Sequence, residues 1–196
     1  MNVRPITDET IGELLDRASW LKTEAESLKS VIGEIPYQDS MPGGTSVIQE
    51  LFRLEYQQRA YYRPFFEQFR SDLLANLQLH DLQLEVESVE SESKDLPDIE
   101  EILGSLVDER TLIVQQLNDL ETEDWKREIV VGSEKITVFR FVEKMVKRDR
   151  QSLRAIAEIV LLFRQENEAR RELKGASPES STTGQNLNEP PPTSVE

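Results

Sequence analysis

Near the C-terminus of the 196-residue chain, an apolar helical stripe is broken by Arg148-Asp149-Arg150-Gln151-Ser152. Val138, Phe141, Val142, Met145, Ile156, Ile159, Val160 and Phe163 recur at three- and four-residue spacing, and polar side chains take positions 148, 149 and 152 of that face. Residues four apart share one helical face, so Arg148 and Ser152 can converge on one point. Charged heads turned toward a bundle interior must be paired, ligated or supplied with water.

Other chemistries have little material. Without cysteine there is no disulfide, thiolate nucleophile or Cys-ligated metal site. His80, the sole histidine, stands beside an acidic run and reads as a surface or helix-end residue. Glycine-rich phosphate loops and Ser/His/Asp sets are lacking. Tyr61, Tyr62, Phe65, Phe66 and Phe69 could form a ligand box, but helical spacing assigns them to the core.

These residues must be positioned by helices. Ile6 to Ile32 carries a three/four stripe, capped by Thr7 or Asp8 and ended by Gly33 and Pro36. Gln38 to Thr45 reads as a loop. Ser46 and Gln49 form a capping box for a second helix running through Leu73, with Pro64 expected to kink it. His80 to Asp95 reads as a solvated acidic connection, with a short strand over Leu82–Val86 as the alternative. Asp98 caps a third helix, in which Arg110 interrupts the stripe between Leu106 and Ile113 and needs a partner or a route to water. Glu121 to Trp125 reads as a polar connection. Ile129 to Ile136 is a hairpin turning at Gly132, and Thr137 caps the last helix, which runs to about Leu173.

The expectation is an all-α, up-down four-helix bundle over residues 1–174, with a long second-to-third helix connection and a small hairpin before the last helix. Residues 175–196, rich in Ser, Thr, Pro and Gly, read as a disordered tail, and Pro190–Pro192 as part of it rather than a polyproline ligand. A formal net charge of −15 argues against general nucleic-acid or anionic-membrane binding. With neither a signal-like apolar core at the start nor a membrane-length apolar run, the expected setting is cytoplasmic.

The order of these pieces resembles the DinB/YfiT-like superfamily of four-helix bundles. Three stretches carry the likeness: Gly44-Thr45-Ser46-Val47 to Leu54; Leu117-x-x-Leu120 with Asp124-Trp125-x-Arg127; and Ile136-Thr137 to Ile156. The last resembles a helix motif with a His-Asp-Arg-x-His run. The resemblance implies a divalent metal held by three histidines, and hydrolase or thiol S-transferase activity. Carried over, the ligand positions fall on Arg53, Arg148 and Ser152, whereas Asp149, Arg150 and Leu153 keep the family's letters. Guanidinium offers no lone pair to a cation, so the expectation is no metal and no cofactor.

Three arrangements can fill that space. In the first, an ion-pair network of Arg53, Arg148, Glu50, Glu55 and Asp149 replaces the metal as the polar centre. In the second, Arg53 and Arg148 clamp a small carboxylate or phosphate. In the third, Glu50, Glu55 and Asp149 ligate a metal. The functional expectation is a non-catalytic bundle acting as a homodimer or through a protein partner, with an altered-site hydrolase or transferase as the alternative. Arg140, Lys144, Lys147, Arg150 and Arg154 make the exterior of the last helix basic; such a face is either solvated or binds an acidic partner.

Overall fold

A computed structural model describes residues 5–39, 45–70, 78–79 and 97–175. His80, the acidic stretch with its alternative strand, Pro42-Gly43-Gly44 of the expected loop and the tail from residue 176 lie outside the described residues.

Local signals set the helix starts. Helix α1, Asp8–Lys29, begins at a Thr7–Thr10 capping box, and a short 3-10 turn at Ile32–Glu34 follows it. The expected helix from Ile6 to Ile32 is thus shorter at both ends. Helix α2, Val47–Gln57, opens on the Ser46–Gln49 capping box. It passes through a π-turn, Gln58–Tyr62, into α3, Arg63–Arg70. Pro64 has no N–H to offer the carbonyl four residues back, and the wider turn, with the Arg63 N–H donating to the Gln58 carbonyl, accommodates that loss.

Strand β1, Gln78–Leu79, pairs parallel with β2, Glu128–Val131, which pairs antiparallel with β3, Glu134–Thr137. Helix α4, Ile99–Asn118, is capped by Asp98, whose side chain accepts from the Glu100 N–H. Residues expected to be a polar connection form a short helix, α5, Thr122–Lys126. Trp125 buries nearly all its surface against the core and meets Phe139 edge-on at 6.2 Å, which the four polar residues before it conceal in the sequence. The β2–β3 hairpin turns at Gly132, with φ +58°, and the Val138 N–H closes its base on the Arg127 carbonyl. Helix α6, Val138–Gly175, follows directly; the Thr137 hydroxyl accepts from the Arg140 N–H.

The molecule is a four-helix bundle of α1, the α2–π–α3 helix, α4 and α6. Helices α1 and α2 each pack on both α4 and α6, so α4 and α6 face one another across the bundle. Its interior is two apolar clusters rather than one. Leu14, Phe66, Ile113, Leu117, Phe141 and Met145 represent the first; Leu51, Leu54, Leu103, Leu106 and Ile156 represent the second. On three helices the break falls at a polar residue. Gln58 separates Leu54 from Tyr62, Arg110 separates Leu106 from Ile113, and Asp149 separates Val146 from Ile156. Among the described residues no helix is long and apolar enough to cross a membrane.

Candidate functional site

The polar belt between the clusters is built from those three residues. The Arg110 Nη2 donates to Asp149 Oδ2 at 2.7 Å, and Gln58 Nε2 donates to Oδ1 at 3.3 Å. A longer contact of 3.6 Å runs from Arg110 Nη1 to the Met145 sulfur. Both charged side chains are sealed, at 0% and 5% exposure. Burial is the largest influence on the Asp149 carboxyl and holds it above its ordinary range, while the Arg110 charge, then its hydrogen bond, pull the other way. Tyr62, buried next to this belt, has its phenol raised first by burial and then by the Asp149 charge.

The remaining sequence candidates lie in other places. Arg53 Nη1 bonds Glu50 Oε1 at 2.9 Å within α2, and Glu50 also accepts from the Thr45 hydroxyl at 2.8 Å. Glu55 is buried in a separate cluster, accepting from Arg59 Nε at 2.8 Å and from the Ser105 hydroxyl at 2.7 Å. Nearby, Arg63 bridges Glu109 at 3.2 Å and Glu67 at 3.6 Å. Burial raises the Glu109 carboxyl; the Arg63 charge opposes it. Glu50, Glu55 and Asp149 therefore belong to three polar groups, and among the described residues no three His, Asp or Glu side chains gather to hold a metal ion.

Arg148 lines a cleft of about 450 Å³ beside the belt, and its charge also acts to lower the Asp149 carboxyl and the Tyr62 phenol. Tyr61, Tyr62 and Phe141 form one wall of this cleft, the hairpin turn Val131–Glu134 another, and Lys144, Lys147 and Gln151 extend it along α6. Glu134, the carboxylate on its rim, is paired with Lys144. Ser152, one turn beyond Arg148, is half-buried and outside the cleft lining.

Also on α6, the Arg150 guanidinium lies 4.9 Å from the Trp20 ring centroid, and Trp20 is 54% exposed. Arg150 lines a groove with Arg17 and Arg154, and this groove shares Lys144, Lys147, Gln151 and Glu134 with the cleft. Of the remaining basic residues on this helix, Arg140 pairs with Glu143 and Arg154 with Glu158.

No protein-family model matches the sequence, and no curated protein matches it. Among solved structures, YfiT from Bacillus subtilis, described as a probable metal-dependent hydrolase with an unusual four-helix bundle topology, superposes with a TM-score of 0.66. The match covers 81% of this chain and 90% of that one, at 16% identity. The fold is that of YfiT. At this identity the likeness is one of fold, and the residues of this chain must speak for its chemistry.

The sequence marked Arg110 as a charge in need of a partner and Asp149 as a polar break, without joining them. Gln58 went unnoticed. So did Trp20, although it sits off the Leu14–Ala18–Leu21–Ala25 stripe of α1, where a large aromatic has no core to enter.

Proposed function

We propose that this chain is a DinB-like bundle without the family's metal, non-catalytic, and acting by binding other protein surfaces through the basic side of its last helix. The residues set against the family's ligands do not fit a divalent cation. Arg53 and Arg148 carry no lone pair, and Ser152 alone is a weak donor. The nearest carboxylate in that sequence run, Asp149, has one oxygen on Arg110 and the other on Gln58. Hydrolysis by metal-activated water, the chemistry YfiT's description suggests, needs an openly coordinated cation, and these side chains cannot supply its ligands.

The observation that carries the binding role is the exposed Trp20 under Arg150, which lines one groove with Arg17 and Arg154. Trp and Arg are the residue types that dominate the energetics of protein interfaces. The surrounding positive charge selects an acidic counterpart, either another protein or the acidic surface of a second copy.

Sedimentation of the full chain at low and high salt, alone and with a polyglutamate peptide, tests this. Association that weakens with salt, and is lost in an Arg150→Gln/Arg154→Gln variant, is the expected result. Failure to associate with either, or association indifferent to salt, overturns the proposal.

A further inference from the structure

The Arg148 cleft adjoins the groove of Arg150 and Arg154 along α6, the two sharing Lys144, Lys147, Gln151 and Glu134, and the cleft has the composition of a small-molecule site. Three cations line it, Lys144, Lys147 and Arg148, against one carboxylate, Glu134, which Lys144 already engages. Among the described residues neither the Arg148 nor the Lys147 head group makes a hydrogen bond or ion pair, and the carboxylate that feels the Arg148 charge, Asp149, is already held by Arg110 and Gln58. This positive concentration belongs to a protein of net charge −15, so it is a local feature and not the drift of a basic surface. At physiological salt charges are screened beyond about 8 Å, which leaves the cleft's own charges to decide what enters.

The opposite wall is apolar and aromatic. Tyr61 stands edge-on to Tyr62 at 5.4 Å, and both rings pack on Phe141. Both tyrosines, consecutive in the chain, belong to the π-turn Gln58–Tyr62 and line the cleft. A cleft of about 450 Å³ is within the range of roughly 300–1,000 Å³ of small-molecule sites, which combine apolar walls with a few placed polar groups.

We propose that this cleft binds an organic anion, whose carboxylate or phosphate meets Arg148 and Lys147 and whose apolar, ring-bearing body lies against Tyr61 and Phe141. Guanidinium donates two parallel N–H groups to such an oxyanion, and Lys147 adds a second charge. The Ser133 hydroxyl and Gln151 amide, also in the lining, can accept from or donate to polar substituents. The same three positive charges repel a metal cation. The inference goes beyond the interaction face: the two share Lys147, but the cleft needs neither Trp20 nor Arg150 nor Arg154.

The test is calorimetric titration of the full chain with phenyl phosphate, inorganic phosphate and phenol. Saturable binding of phenyl phosphate, tighter than either fragment by about tenfold or more, is expected, since the head and the ring each contribute about 1.4 kcal/mol or more at that ratio. Arg148→Gln should weaken it by about tenfold, and Lys147→Gln, an exposed position that leaves the fold intact, by severalfold. Arg150→Gln/Arg154→Gln should leave it unchanged, so this proposal and the interaction face fail separately. Equal affinity for phenyl and inorganic phosphate, no saturable binding, or unchanged binding by both cleft variants would overturn it.

Discussion

Arg110 reaches Asp149 from the helix that stands opposite, across 39 residues of sequence, and the two close at 2.7 Å with almost no exposed surface. Removing two ions from water costs several kcal/mol each after relaxation, and mutual attraction repays this only with good geometry and added hydrogen bonds. Gln58 supplies one such bond, while among the described residues nothing accepts from Arg110 Nε. The pair is therefore a fastener of register between facing helices more than a net source of stability.

That distinction is measurable. Asp149→Ala leaves Arg110 charged and alone in the core, and should cost about 3–5 kcal/mol. The double variant Arg110→Met/Asp149→Leu removes both charges and should recover most of that loss or exceed the parent. Urea unfolding of the three proteins checks it. A double variant as unstable as Asp149→Ala would show that the belt contributes more than its two charges.

Much of the fold was legible because its signals are local. Ser46 with Gln49, Asp98 and Thr137 cap helices within three residues of themselves, and Gly132 marks the turn it makes. The belt was only half legible. A stripe shows that Arg110 and Asp149 face inward, but not which helices oppose one another, so the sequence offered Arg53 and Arg148 as partners for Asp149. Gln58 finds its acceptor 91 residues away, and nothing near it in the chain marks an amide as buried. Trp125 was concealed by its polar neighbours. The cleft depends on where the hairpin lies against α6, a distance no spacing rule encodes.

Glu109 gives a pH-dependent prediction. Its carboxyl is raised in the folded protein, chiefly by burial, so the native state holds that proton more tightly than the unfolded chain. The group's stabilising contribution is full below the ordinary carboxylate pKa and is lost as pH rises through the raised value. Glu109→Gln should thus match the parent in acid and melt higher near neutrality, with Arg63 keeping Glu67. Melting curves from acid to neutral pH check this, and a variant less stable at neutrality than in acid, relative to the parent, would contradict it.

Gly132 holds φ at +58° in the hairpin turn, where a side chain strains the backbone by about 1–2 kcal/mol. No atom within 4 Å would meet an added Cβ, so the cost of Gly132→Ala is conformational alone. The expected loss is about 1 kcal/mol, or about 2–4 °C in Tm for a chain of this size. Gly132→Asn, better suited to the left-handed region, should lose less. Equal melting of the alanine, asparagine and parent proteins would refute the assignment.

The central claim is that this bundle's polar centre is closed by protein side chains and has no use for a cation. Its most direct test is thermal melting and elemental analysis of the chelator-treated full chain after zinc or nickel is added back. A ligand that binds the folded state alone, at a hundred times its Kd, stabilises by about 2.7 kcal/mol, a plain shift in Tm. The account predicts no such shift and no stoichiometric metal after gel filtration. One metal per chain with a raised Tm, abolished by Asp149→Asn, would contradict it.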